Sequence, residues 1–299
     1  MYIDRTINGH RQKLVTGQEA GAREAVANGG VEGLATLTRI LRTLLVGALL
    51  VFLLLPTLIV IPMSLSTTAH LVFPPQGVTL GWYRAFFGDV EWMAATWFSL
   101  KIAASTCITA TVVGTMTALA LVRGDMPFKG LLQALSLAPM IVPHIVLGVA
   151  LYLVFAPLKL TGSLTGFLIG HTVIAVPFVV ITVTAALQRL DPALELASLN
   201  CGASRIQTFF HVTLPNIIPG IFSGAVFAFL ASFDEATVAF FISDVTGMTI
   251  SRKMFEDIDF NLTPVIAAAS TVTVLASLAL IGVAQVLSSL SRTTSNPQE

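Results

Sequence analysis

The chain has 299 residues, of which 55% are hydrophobic and only 11% carry a charge. Soluble domains carry roughly 25% charged residues, so this composition excludes an ordinary soluble protein of one or two domains. The 16 basic and 16 acidic side chains give a formal net charge of zero, which offers no reason to expect nucleic acid as a partner.

The chain begins with a polar segment and continues with six apolar stretches. We interpret residues 1–42 as a cytoplasmic tail, because this region is too polar to cross a membrane. A helix needs about 20 apolar residues to cross a hydrocarbon core about 30 Å thick. The spans predicted on this criterion are 43–63, 102–122, 131–155, 164–187, 218–241 and 263–287. They predict an all-α integral membrane protein with a transmembrane domain over 43–290 and a cytoplasmic tail over 291–299.

The distribution of basic residues predicts the orientation of these spans. If the N-terminus is inside, five of the 16 Lys and Arg residues lie outside and the other eleven inside, as the positive-inside rule requires. The five outer residues are Arg84, Lys101, Lys159, Arg252 and Lys253. We therefore predict a multi-pass protein of the bacterial inner membrane, with both termini and the segment 188–217 in the cytoplasm.

Three prolines interrupt the third and fourth predicted spans: Pro139, Pro143 and Pro177. Breaks in a membrane helix are tolerated where neighbouring helices or a cavity satisfy the freed backbone groups. The prolines are consistent with spans that line a pathway and bend, and equally with ordinary helix kinks.

The segment between the fourth and fifth spans is polar and has a helical pattern. Asp191 is a suitable N-cap, and Pro192 fits the first helical turn, where a missing N–H costs nothing. Gly202 suits the left-handed position that ends a helix. A second short helix is predicted over 203–212, before Pro215 begins the next span. The pattern predicts two short helices with a glycine corner, and the first exposes apolar leucines that favour a partner.

The spacing within this segment is similar to the "EAA" loop of binding-protein-dependent ABC importer permeases. The matching residues are Ala197, Ser198, Gly202, Val212, Leu214 and Pro215. In that family the loop is a coupling helix that sits in a cleft of the cytoplasmic ATPase. The resemblance implies a type I ABC importer permease fold of six helices. It also implies that the coupling residues are Glu195, Leu196, Ala197, Ser198, Gly202, Leu214 and Pro215.

One position of the loop departs from the family pattern. The family has a glutamate directly before the two small residues, and this chain has Leu196 there. Glu195 lies one position earlier and points about 100° away around the helix. Whether Glu195 replaces the missing glutamate is therefore open at this point.

Further motifs resemble the second permease of spermidine/putrescine-type systems over roughly residues 40–290. They lie at 73–83, 170–172 with Pro177, 232–235 and 263–268. The resemblance implies import of a polyamine or similar small amine, with two cytoplasmic ATPase subunits, a second permease and a periplasmic solute-binding protein as partners. The chain has no Gly-x4-Gly-Lys-[Ser/Thr] phosphate loop, so we expect ATP and Mg²⁺ on the ATPase and no cofactor here.

Four ionisable residues fall inside the predicted spans, where charges are costly and indicate function. Asp234 and Glu235 lie in the fifth span, His144 in the third and His171 in the fourth, all at similar depth in the outer third of the bilayer. They are candidate substrate-pathway residues, because carboxylates would compensate a cationic substrate. Alternatively, the carboxylates form a structural gate and the histidines make interhelical hydrogen bonds.

The alternatives to import by an ABC system are a secondary carrier and an intramembrane enzyme. A proton-coupled secondary carrier would use Asp234, Glu235 and the histidines as a relay, but it leaves the segment 191–215 unexplained. An intramembrane enzyme lacks support, since no His-Glu-x-x-His metal pair or serine–histidine arrangement is present, and we predict no catalytic residue or metal site. The outer loop 243–262 is either a dock for the binding protein or a solvated loop.

Overall fold

The computed structural model describes residues 37–244, 247–260 and 263–293, and these ranges are helical without strands. The helices are α1 (Leu37–Met63), α2 (Gly81–Gly88), α3 (Val90–Arg123), α4 (Lys129–Ile141), α5 (His144–Phe155), α6 (Leu164–Arg189), α7 (Pro192–Asn200), α8 (Arg205–Thr208), α9 (Leu214–Phe233), α10 (Thr237–Ile242), α11 (Ile250–Phe260) and α12 (Pro264–Thr293). A π-helical turn, Phe209–Thr213, joins α8 to α9. Most of the predicted N-terminal tail (1–36) and the end of the C-terminal tail (294–299) lie outside the described residues.

The described chain forms two units, the first ending at Ile59 and the second beginning at Val60. The first unit contains most of α1, whose most apolar window has a mean hydropathy of 3.0. The second unit contains all other elements. Helix α1 begins at Leu37, before the predicted start at residue 43, and α12 continues to Thr293, beyond the predicted end at 287.

Five helical runs in the described residues are long and apolar enough to cross a membrane, and a sixth crossing is present if one bent pair is counted. The bent pair is α4 and α5, which meet at 104°. Pro143 precedes α5 and forces Val142 into extended backbone, which ends α4. Helices α4 and α6 continue through Pro139 and Pro177, so only Pro143 coincides with a break between helices.

The structure corrects the predicted start and end of the fifth span. The sequence predicted a short helix over 203–212 and a span over 218–241, whereas one helical run extends over Arg205–Phe233. Pro215 lacks an N–H and would clash in a regular α-helix. The π turn before it accommodates the proline, since the Leu214 N–H reaches back to the Phe209 carbonyl.

Helices α3, α6 and α9 form the centre of the second unit through small residues at their contacts. A Cβ added to Gly114 of α3 would lie 2.6 Å from Val179 Cβ of α6. A Cβ added to Gly220 of α9 would lie 2.6 Å from Ala186 Cβ of α6. Only glycine therefore permits the backbones to approach this closely, as at small-residue contacts in other membrane proteins. We call α3, α6 and α9 the central helices.

Candidate functional site

Helix α7 begins with the predicted cap. The Asp191 Oδ1 atom accepts a hydrogen bond of 2.9 Å from the Ala193 N–H, and Pro192 occupies the first turn. None of the nine residues of α7 is buried. The helix therefore lies on the surface of the chain and is attached to α6 and α8 by short non-helical links.

The predicted glycine corner after α7 is present. Gly202 has a φ of +88°, a conformation that residues with a side chain rarely adopt. Its N–H donates to the Leu199 carbonyl at 3.0 Å, and the Ala203 N–H donates to the Ser198 carbonyl at 3.2 Å. A Cβ at Gly202 would meet nothing within 4 Å. Backbone conformation, and not lack of space, therefore requires glycine here.

The carboxylate of Glu195 is bonded within this chain. Its Oε2 atom lies 2.9 Å from Nε of Arg123, at the end of α3. Its Oε1 atom accepts a hydrogen bond of 2.7 Å from the hydroxyl of Thr213, in the π turn before α9. The Glu195 side chain is only 18% exposed. The carboxylate of Glu195 consequently points toward α3 and the π turn of its own chain.

The outward surface of α7 is apolar. Leu194, Leu196 and Leu199 are 51%, 60% and 38% exposed. Ala197 is also exposed, whereas the Ser198 hydroxyl bonds to the Thr208 hydroxyl at 3.0 Å.

The remaining predicted coupling residues belong to the start of α9. Leu214 packs against the core formed by the central helices, and Pro215 is exposed. Among the predicted coupling residues, Leu196, Ala197, Gly202 and Pro215 are therefore exposed, and Leu196 presents the largest apolar side chain of those on α7.

A cavity of about 830 Å³ lies among α6, α9, α11 and α12 and is partly lined by three of the four predicted pathway residues. Asp234, Glu235 and His144 contribute its polar groups. Phe178 and Phe227 add aromatic surface, with ring centroids 6.5 Å apart and an interplanar angle of 22°. The cavity thus combines carboxylates with apolar walls.

The two carboxylates lie in a break between helices and not inside a span. Helix α9 ends at Phe233 and α10 begins at Thr237, so Asp234 and Glu235 are in non-helical backbone. The carbonyl of Phe233 accepts a hydrogen bond of 3.1 Å from the Ser251 hydroxyl, which satisfies this helix end. The prediction of an unbroken helix over 218–241 is therefore wrong at this point.

The two carboxylates have different surroundings. Glu235 is 6% exposed, and its Oε2 atom lies 2.9 Å from Nδ1 of His144. Its Oε1 atom accepts a hydrogen bond of 2.8 Å from the Val238 N–H in the first turn of α10. Asp234 is exposed to the cavity. Glu235 is thus held by its neighbours, while Asp234 is accessible to a solute.

The structure separates His171 from the other three pathway candidates. His171 is completely buried and is not among the described residues that line the cavity. Its Nδ1 atom lies 3.1 Å from the Ser232 carbonyl and 2.9 Å from the Ser232 hydroxyl. Because a carbonyl only accepts, Nδ1 carries the hydrogen in that bond. His171 therefore links α6 to α9, which matches the interhelical alternative.

We expect His171→Leu to destabilise the protein, because it leaves the buried Ser232 groups without this partner. Loss of a buried hydrogen-bond partner costs about 1–3 kcal/mol. The measurement is the thermal unfolding temperature of the purified protein in detergent. His171→Asn retains a donor near the Nδ1 position and should lose less. Equal unfolding temperatures for wild type and His171→Leu would contradict this role.

The loop 243–262, predicted to lie outside, contains α11, which is packed against the rest of the second unit. The buried Ile250 donates its N–H to the Ser99 hydroxyl at 2.8 Å. Lys253 lies 2.9 Å from Glu91 and 3.3 Å from Asp257. Burial would lower the pKa of Lys253, but these two carboxylates raise it more, so it lies above its ordinary value. These contacts fix α11 to the rest of the chain, and a dock for the binding protein in this loop stays a prediction.

Sequence reasoning did not identify the two partners of the Glu195 carboxylate, Arg123 and Thr213. Arg123 is predicted only as one of the eleven inner basic residues, and Thr213 belongs to no predicted site. Their role depends on contacts between segments distant in sequence, so no local motif signals it. Within the described residues, no group of three or more His, Cys, Asp or Glu side chains could hold a metal ion.

Residues 110–292 match the family described as "Binding-protein-dependent transport system inner membrane component". The putrescine transport system permease protein PotI of Escherichia coli K12 is 30% identical over 239 residues, covering 77% of this chain and 84% of that protein. The spermidine/putrescine transport system permease protein PotC of Haemophilus influenzae is 27% identical, covering 71% and 82%.

Two solved structures share the fold. A bacterial ABC transporter involved in import of the acidic polysaccharide alginate has a TM-score of 0.67 at 15% identity, covering 82% of this chain and 94% of that chain. The MetNI methionine ABC transporter has a TM-score of 0.57 at 18% identity, covering 67% and 95%.

Proposed function

Because the chain belongs to the family of binding-protein-dependent transport system inner membrane components, and is thus the permease subunit of an ABC importer, we propose that it carries a polyamine or a similar small amine from the periplasm to the cytoplasm. As a member of this family it is a multi-pass inner membrane protein and a transport component, not an enzyme. The substrate class rests on relatives that are named for putrescine and spermidine.

The cavity that contains Asp234 supports this substrate class. A polyamine carries ammonium groups separated by methylene chains, so it needs both negative charge and apolar surface. Asp234 offers an accessible carboxylate, and Phe178 and Phe227 offer aromatic faces that attract cations and pack against methylenes. Ligand pockets with apolar walls and a few polar groups typically measure about 300–1,000 Å³, a range that includes this cavity.

The assembly follows the family pattern in our proposal. Two cytoplasmic ATPase subunits would bind ATP and Mg²⁺, while a second permease and a periplasmic solute-binding protein complete the importer. This arrangement requires six spans over residues 43–290, with both termini and α7 on the cytoplasmic side. The exposed leucine surface of α7 is the observation that supports docking of this permease on an ATPase subunit.

Reconstitution of the complete importer in liposomes tests the proposed function. We expect uptake of labelled putrescine that requires ATP on the ATPase side and the solute-binding protein on the other. In matched liposomes a proton gradient without ATP should give no uptake. Uptake driven by the gradient, without the ATPase, would instead establish the secondary carrier.

Leu196 provides a specific test of docking through apolar side chains. Leu196→Glu restores the family's usual residue but places a charge on the leucine surface, so we expect at least about tenfold weaker binding to the ATPase of this system. The measurement is the dissociation constant of the permease–ATPase complex in detergent. Leu80→Glu is the matched control, since Leu80 is 59% exposed but far from α7 in sequence. Tighter binding of Leu196→Glu would show that the ATPase cleft expects the glutamate.

A further inference from the structure

Arg123, Glu195 and Thr213 form a set of bonds that we call the clasp. Glu195 uses one carboxylate oxygen for Arg123 and the other for Thr213, at 2.9 and 2.7 Å. Arg123 also donates through Nη2 to the carbonyls of Leu187 and Leu190, at 3.3 and 3.2 Å, where α6 ends. The clasp therefore joins α7 to the ends of α3 and α6 and to the turn that begins the α9 run.

Helix α7 has few other attachments to the rest of the chain. None of its residues is buried. Its two covalent links are short, and the second contains the Gly202 corner, whose Cβ position is open. In the described part of the chain, the Ser198 hydroxyl of α7 also bonds to the Thr208 hydroxyl, at 3.0 Å. Without the clasp, α7 could turn on these links without moving the central helices.

The central helices connect the clasp to the cavity. Their glycine contacts bring α3, α6 and α9 into backbone contact, so a displacement of one moves the others. Phe178 of α6 and Phe227 of α9 line the cavity, and Asp234 lies directly after α9. A movement of α7 is thus transmitted to the cavity through the central helices if α7 is fixed to them.

We propose that the Arg123–Glu195 ion pair transmits the movement of α7 to the central helices and so couples ATP hydrolysis to substrate movement. The proposal rests on the proposed docking of α7 on the ATPase. Arg123 and Glu195 are positioning residues, since neither touches the nucleotide or the cavity. Because both side chains are partly exposed, at 27% and 18%, the pair acts mainly by fixing geometry and adds little to overall stability.

The test compares transport with ATP hydrolysis in the reconstituted importer. We expect Arg123→Gln and Glu195→Gln each to lower putrescine taken up per ATP hydrolysed by about fivefold or more, while the ATPase subunits remain bound. The double variant should be no worse than Arg123→Gln alone, because both substitutions remove the same ion pair and Arg123→Gln also removes the bonds to the carbonyls of α6. Glu91→Gln breaks a different ion pair of 2.9 Å, to Lys253, at a residue outside the loop 243–262, and should leave the ratio unchanged.

Other outcomes are distinguishable. An unchanged ratio in both single variants overturns the proposal, as does a loss explained entirely by lower amounts of assembled complex. Additive losses in the double variant would show that the two side chains act separately, which also overturns it. If the proposed function itself is wrong, wild-type liposomes show no ATP-dependent uptake at all, and this result appears before any variant is compared.

Discussion

Gly202→Val is expected to remove most of the transport activity while the protein still inserts into the membrane. Gly202 has a φ of +88°, and the left-handed region costs a residue with a Cβ about 1–2 kcal/mol, with β-branched residues the least tolerant. A cost of this size lowers the ratio of molecules with the left-handed corner to molecules without it by roughly 5–30-fold. Since the corner sets the direction in which α7 leaves the membrane domain, the docking surface would be misplaced.

Two further substitutions separate backbone strain from charge. Asn and Asp have nearly the same shape, and both tolerate positive φ better than valine. Because no atom lies within 4 Å of the Cβ position, neither side chain would clash inside this chain. We expect Gly202→Asn to retain much of the uptake and Gly202→Asp to lose ATPase binding, because it adds a charge beside the leucine surface.

The measurements are membrane insertion, ATPase co-purification and ATP-dependent uptake. If Gly202→Val transports like wild type, the corner does not position α7 for docking, and the coupling role of this segment is wrong. If Gly202→Asn and Gly202→Asp fail equally, strain alone accounts for the loss and the charge argument is wrong.

The parts of the structure with local signals could be predicted from the sequence. The α7 start at Asp191 and the corner at Gly202 follow from short-range capping and backbone preferences, and both are present. The helical class follows from the length of the apolar stretches, because backbone groups in a membrane need internal hydrogen bonds.

The helix break after Phe233 could not be predicted from hydropathy. Apolar residues continue on both sides of Asp234 and Glu235, and two charged residues within a span are equally compatible with a functional site in a continuous helix. Ser251 and His144 stabilise the break from distant segments, by bonds to the Phe233 carbonyl and to the Glu235 carboxylate. The same limit applies to Glu195, because its bond to Arg123 depends on the three-dimensional arrangement of α3 and α7.

The grouping of polar residues by depth was also only partly successful. Depth along a helix axis is one coordinate, and residues at equal depth can face different neighbours. His144 and Glu235 meet at 2.9 Å, as a shared polar cavity requires. His171 faces Ser232 in the helix interface instead. A two-histidine relay for a secondary carrier therefore loses the structural arrangement that would have favoured it.

Asp234→Asn is expected to lower uptake of a polyamine about tenfold, with ATPase binding unchanged. Asp234 is the exposed carboxylate in the cavity, and the substitution removes its charge while keeping its size. A charge-assisted hydrogen bond contributes about 1.5–3 kcal/mol when desolvated, and exposure reduces that value, so a tenfold effect is the appropriate scale. Glu235→Gln differs, because it disrupts the bond between the buried Glu235 and His144 and should also lower the unfolding temperature.

The control for Asp234→Asn is Asp125→Asn, the same chemical change at an exposed position between α3 and α4 that is not among the cavity residues. Uptake is measured against polyamine concentration at low and high salt, since an electrostatic contribution is screened by ions. Asp125→Asn should transport like wild type under both conditions. If Asp234→Asn also does so, the carboxylates belong to a structural gate, and the charge that a cationic substrate needs must come from the second permease.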